Sequence, residues 1–167
     1  MLLLTLDLDE NSQAFFESER RRYFPPELNV VPAHLMLFHN LPGEEMARIR
    51  HELSRASDAC RPMTLRITRL RSLGRGVAYQ VECGSLVLLR ARLAALFHSW
   101  LSPQDQHGYR PHITIQNKVS TEEAKLTLQA LQARFVPLEA VGTGLSLWSY
   151  LGGPWEFVAR FPFASAR

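Results

Sequence analysis

The sequence is short of almost everything that would announce a specialised scaffold. It has two cysteines, Cys60 and Cys83. That is too few for a disulfide framework or a four-cysteine zinc site, and it suits reduced thiols in a cytosolic protein. No apolar run approaches the roughly 18–20 residues of a membrane span; Leu86–Leu89 is broken at once by Arg90. The opening MLLLTLDLDE has no basic leader and soon meets Asp7, Asp9 and Glu10, so it reads as a first strand rather than a signal peptide. There is no Walker loop. Gly142-x-Gly144 lacks the third glycine of a dinucleotide fingerprint, and four residues after His51 stands Arg55, not the second histidine of a zinc-protease helix. Ser146 and Ser149 lie in no nucleophile elbow. No His, Cys or carboxylate pair has ligand spacing, so neither a metal nor a cofactor is expected.

What is present is enough for a real core. The chain has 167 residues, 46% hydrophobic and 21% charged, which excludes disorder and fits one domain spanning 1–167. The net charge of +3 accommodates anionic ligands without demanding nucleic acid. A soluble, cytoplasmic monomer without membrane association is expected.

Residues 2–8 read as a strand. Asn11 or Ser12 would cap a helix running to about Tyr23, whose Arg20, Arg21 and Arg22 form a solvated, dipole-compatible end before Pro25-Pro26. Further strands are expected over Val30–His39, Met63–Leu70, Val77–Glu82 and Pro111–Gln116, and near 138–149 and 155–162. Helices are expected over Glu44–Ser57, 85–100 and Glu122–Phe135, with a polar loop at Leu101–Arg110. The order is α+β, with antiparallel pairs closing each half.

An internal repeat singles out particular residues. His112 lies 112 − 34 = 78 positions after His34, and at that offset HLML falls on HITI and Glu44-Glu45 on Glu122-Glu123. The pseudo-repeats are roughly 1–83 and 84–167. Strand alternation puts Leu35, Leu37, Ile113 and Ile115 toward the helices. It puts His34, Met36 and Phe38, and likewise His112, Thr114 and Gln116, on the opposite face; His39 has the other parity and should face away from His34. Two imidazoles facing each other across a cleft suit general acid–base chemistry at an anionic centre, each role contributing on the order of 10²–10⁴ in rate. The competing reading is a pair of hydrogen-bonded structural histidines. Tyr109 and Arg110, just before the second motif, are candidates for stacking a base and holding phosphate. Arg66 shares a polar strand face with Thr64 and Thr68, and Phe38 is a candidate cleft wall.

The two histidine strands, VVPAHLMLFHNLPGEE and LSPQDQHGYRPHITIQNKV, resemble those of the two-histidine phosphoesterase superfamily, specifically its bacterial 2′-5′ RNA ligase-like branch. The resemblance implies a duplicated, two-lobed α+β fold in which antiparallel sheets line a central cleft and helices pack outside. It implies metal-independent cleavage of 2′,3′-cyclic phosphates on RNA ends or nucleotides, with His34 and His112 as the acid–base pair and Thr114 as a phosphate donor. The family pattern has Thr or Ser where this chain has Met36, and a thioether donates no hydrogen bond. The alternative is therefore a catalytically weakened nucleotide- or RNA-binding protein on the same fold.

Overall fold

The computed structural model describes residues 1–165. Strand β1 (Leu2–Leu8) is buried along nearly its whole length because β2 and β6 flank it on both edges. Helix α1 (Glu10–Tyr23) begins earlier than the sequence suggests. Its cap is Asp9, whose carboxylate accepts from the Ser12 N–H at 3.2 Å and also from Val141 N–H at 2.8 Å, tying the turn to β6.

The chain continues through β2 (Leu35–Leu41), α2 (Met46–Asp58), β3 (Met63–Ser72), β4 (Val77–Glu82), α3 (Gly84–Leu96) and the single turn α4 (Pro103–Gln106). Then come β5 (His112–Gln116), α5 (Thr121–Arg134), β6 (Leu138–Ser149) and β7 (Glu156–Pro162). The strand expected from Val30 starts only at Leu35, after a turn at Pro26–Leu28. The helix expected to reach Trp100 stops at Leu96. Inside the expected loop, Ser102 caps α4.

All pairings are antiparallel, in the order β1-β2-β5-β4-β3-β6-β7, and a β1–β6 pairing closes the sheet on itself. The long β6 serves both lobes: Leu138–Gly142 pairs with β3, while its later residues pair with β1 and β7. β4, which precedes residue 83, is laid against β5. Helices pack outside, α1 against β5 and α5 against β3 and β4. The expected α+β class with antiparallel strands inside and helices outside is what is observed.

One detail overturns the simple alternation. Along β1, Thr5 pairs with Met36 and the adjacent Leu4 with Phe38, so Leu37 is an extra residue. Along β4, Ala78 pairs with Thr114 and Val77 with Gln116, so Ile115 is extra. The two β-bulges lie 78 positions apart. Each flips the parity downstream. Phe38 and Gln116 therefore turn into the core, at 0% and 1% exposure, rather than toward the face of the histidines. Phe38 packs on Phe97, and Gln116 donates to the Thr127 hydroxyl.

A buried arginine serves the backbone beside each bulge. Arg90 of α3 donates through Nε to the Leu37 carbonyl at 2.8 Å and through Nη2 to the Asp105 carbonyl at 2.7 Å, while covering the Phe38 ring. Arg20 of α1 donates to the Thr114 carbonyl at 3.0 Å and to Asn29 at 2.7 Å. The arginine triplet is thus not uniformly solvated: Arg21 and Arg22 are exposed, but Arg20 is buried.

Replacing Arg90 with Met leaves two buried carbonyls without their donor. Hydrogen bonds from charged donors contribute about 1.5–3 kcal/mol each, and some relaxation is expected, so Arg90→Met should lose about 2–4 kcal/mol in urea unfolding. The exposed Arg66→Ala should stay within about 0.5 kcal/mol of the parent. An unchanged midpoint for Arg90→Met would show that the bulge does not depend on it.

Candidate functional site

His34 stands one residue before β2, and His112 opens β5. These strands meet at Leu35, which pairs with Ile113. Extending that antiparallel register by one residue sets His34 across from Thr114 and Met36 across from His112. Each imidazole is fixed in the same way. His34 Nδ1 lies 2.8 Å from the Pro32 carbonyl, and His112 Nδ1 lies 2.8 Å from the Arg110 carbonyl. A carbonyl only accepts, so Nδ1 carries the proton in both rings and Nε2 keeps its lone pair.

Both histidines line one open groove of about 730 Å³. Its wall is built from matched positions of the two strands. His34, Met36, His39 and Asn40 come from the first; His112, Thr114, Asn117 and Lys118 come from the second. The bulges explain the last two of each set, because parity recovers one residue late. Lys118 adopts a left-handed backbone (φ 63°) as the chain leaves β5. The groove runs on into a neighbouring cavity that shares Met36, His39 and His112 and adds Arg71, Tyr109 and Arg110. On the other side it meets an opening of about 360 Å³ walled by Trp148, Trp155 and Phe157, with Asp7, Ser146 and Arg160 behind. Trp155 belongs to both spaces, and its ring lies 4.7 Å from that of His34.

Among the described residues, no carboxylate lines the groove between the two histidines. Asp7, in the aromatic opening, is occupied by the Ser146 hydroxyl at 2.6 Å and by Arg160 at 3.0 Å. Enclosure by protein pushes the pKa of His34 down to about 4, even though part of its ring faces the groove; the Pro32 carbonyl opposes that shift, and Arg20, His39 and His112 add to it. His112 is lowered too, first by burial and then by Arg71 and Arg110, against the Arg110 carbonyl. The Arg71 guanidinium is 3.4 Å from His112 Nδ1, a cation beside the ring rather than its hydrogen-bond partner. Both imidazoles therefore stand neutral near pH 7.

The structure brings together His34, His112, Met36 and Thr114, with Arg110 exposed at the rim. Tyr109 is half-buried and donates to the Met36 carbonyl at 2.8 Å, bracing the loop against β2. Two candidates are elsewhere. Phe38 is in the core, turned there by the bulge, and is no cleft wall. Arg66 lies on β3 between cross-strand neighbours Glu82 and Glu139, lining none of these spaces. His39 is on the groove wall, contrary to its parity. Arg71 and Trp155 belong to no motif; only the Gly152-Gly153-Pro154 turn marks the loop that delivers Trp155. Among the described residues, no three His, Cys, Asp or Glu side chains are grouped to hold a metal ion.

Comparison with known proteins agrees with this architecture. A Bacillus licheniformis protein whose name gives phosphoesterase as an inferred activity is 26% identical over 154 residues, covering 89% of this chain and 90% of that one. The crystal structure of TT0787 from Thermus thermophilus superposes with a TM-score of 0.69 over 99% of both chains, at 17% identity. Escherichia coli LigT complexed with 3′-AMP superposes with a TM-score of 0.57 over 98% of this chain and 97% of LigT, at 18% identity; its complex with NADP⁺ gives 0.59 over 97% and 96%, at 19% identity. The profile of the 2′-5′ RNA ligase superfamily matches residues 8–154, nearly the whole chain, and the protein belongs to that superfamily.

Proposed function

We propose that this protein is a metal-independent phosphoesterase opening 2′,3′-cyclic phosphates on RNA ends or nucleotides, with His34 and His112 as its acid–base pair. One observation carries the reading: two imidazoles of identical tautomer on paired strands line one groove, and among the described residues no carboxylate lines it with them.

In hydrolysis, one Nε2 takes a proton from water as its oxygen attacks phosphorus. The other imidazole, protonated, gives its proton to the ribose oxygen as the P–O bond breaks. Burial lowers the pKa of His34 to about 4 and lowers that of His112 too, so both rings start neutral and either can take the first proton. A phosphate anion between the rings favours the imidazolium that the acid role needs. Thr114 donates its hydroxyl to a phosphoryl oxygen, and Arg71 and Arg110 offset the charge that develops there. The Trp155 ring beside His34 is placed to stack the attached nucleobase, with Trp148 and Phe157 extending the shelf. The nucleotides held by LigT support a nucleotide-sized ligand.

Hydrolysis of 2′,3′-cyclic AMP should persist in EDTA and fall by more than about 10²-fold in His34→Ala and in His112→Ala. Equal activity in both variants and the parent would remove the assignment. Nucleotide binding without turnover would instead identify a binding protein on this fold. Trp155→Ala should raise KM by about 5- to 150-fold with a smaller change in kcat, the loss of a stacked base being about 1–3 kcal/mol; an unchanged KM would place the base elsewhere. Acid stability supplies a test that needs no substrate. His34 binds its proton near pH 4 when folded and near 6.5 when unfolded. Between those values the unfolded chain holds more protons, so stability falls as pH drops from 6.5 toward 4. His34→Gln should flatten that slope; an identical slope would show that the ring is not held neutral.

A further inference from the structure

Met36 leaves the first strand short of a donor. At the matching position of the second strand Thr114 offers a hydroxyl, and a thioether offers none. The bulge at Leu37 compensates in an unexpected way. By turning Phe38 into the core it delivers His39 to the groove wall three residues after Met36, alongside His34 and His112. All three rings line the one groove, and His39 adds to the lowering of the other two.

His39 is held from behind. Its Nδ1 lies 3.0 Å from Oδ1 of Asp105, a carboxylate 2% exposed at α4. The same carboxylate accepts the backbone N–H of His39 at 3.0 Å and of Asn40 at 3.0 Å. Burial by itself would raise the Asp105 pKa; the His39 ring and these backbone donors outweigh it and keep the carboxyl below its ordinary range. An ionised carboxylate has no proton to give, so His39 Nδ1 is the donor. Its Nε2 points away from Asp105, and 42% of the side chain is open to solvent. The chain has thus built a carboxylate–imidazole pair on the wall of the groove that His34 and His112 line. With Nδ1 given to Asp105, a hydrogen bond from Nε2 to an anion is made by the ring that carries both protons, and such charge-assisted bonds are the strong ones.

We propose that His39, positioned by Asp105, donates the hydrogen bond to a phosphoryl oxygen that Met36 cannot, so the first half of the groove grips phosphate through an imidazole instead of a hydroxyl. This rests on the phosphoesterase reading above. His39 is a binding residue in this scheme and Asp105 a positioning residue.

The test is a double-mutant cycle read by two measurements: turnover of 2′,3′-cyclic AMP, and affinity for inorganic phosphate by NMR of the imidazole resonances. His39→Asn keeps a donor at the Nδ1 position for Asp105, preserving the fold, and removes Nε2. It should weaken phosphate binding and lower kcat/KM by about 10- to 100-fold, the worth of one hydrogen bond to a charged oxygen. Met36→Thr should recover most of the loss in the His39→Asn background and give a clearly smaller gain in the parent. A His39→Asn protein that binds phosphate and turns over like the parent overturns the proposal, as does a Met36→Thr gain of equal size in both backgrounds. Turnover that needs His34 and His112 but ignores His39 sinks this inference alone. Phosphate binding that obeys the cycle without any turnover sinks the enzyme reading and leaves the role of His39 standing. Absence of both phosphate binding and turnover in the parent overturns the two together.

Discussion

The groove depends on one backbone constraint, the antiparallel pairing of Leu35 with Ile113. These residues sit 78 positions apart, the same offset that relates the two histidine motifs. An antiparallel pair between matched residues relates the two strands by an approximate local two-fold axis. Whatever lies one residue before the centre on one strand then faces whatever lies one residue after it on its neighbour. His34 meets Thr114, and His112 meets Met36. Period-two alternation does the rest. With Leu35 and Ile113 fully buried on one side, the histidines are obliged to share the other.

The bulges turn this pairing into a wall. A regular strand would carry only alternate residues to the groove, and the next positions after Met36 and Thr114 would be Phe38 and Gln116. The extra residues Leu37 and Ile115 shift the sequence so that His39 and Asn117 arrive instead. A bulge exposes backbone carbonyls to a place where water does not reach, and leaving such a group unpaired costs about 1–3 kcal/mol. Arg90 and Arg20 meet that cost from helices on the outer layer. Acids elsewhere are similarly committed. Glu19 is buried between the Tyr79 hydroxyl and Arg134, Asp9 caps α1, and Asp105 is spent behind His39. The carboxylates brace the scaffold, and the space between the histidines is left to neutral and cationic groups.

Much of this is legible in the sequence, for identifiable reasons. Apolar alternation locates β3 and β5, and turn residues bound β4. The offset of 78 picks out His34 and His112 because matched strands keep their ladder partners. Parity fails at a definite point, after Leu37 and after Ile115, because an inserted residue leaves no mark in composition. Alternation alone therefore assigns Phe38 to the groove and excludes His39 from it, the reverse of what is found. Arg20 misleads in the same way: a cation in the last turn of α1 satisfies the helix dipole whether it points outward or inward, and only the carbonyl beside the bulge decides. Trp155 is invisible in the sequence since its place is set by the β6–β7 connection.

The two halves of the groove are matched in backbone but not in chemistry, and the mismatch orients a ligand. On the His34 side stand Trp155 and the further ring of Trp148, both held on the β6–β7 lobe, with Trp148 anchored by a 2.9 Å bond to the Thr5 hydroxyl. On the His112 side stand Arg71, from β3, and Arg110, with Tyr109, whose hydroxyl is already spent on the Met36 carbonyl. A flat apolar group is best placed at the first end and further negative charge at the second. A nucleotide bound with its phosphorus between the imidazoles satisfies both ends in one orientation only. In the reaction proposed above, the duplicated strands supply two proton carriers of like tautomer, and the unlike flanks around them decide which one faces the nucleoside.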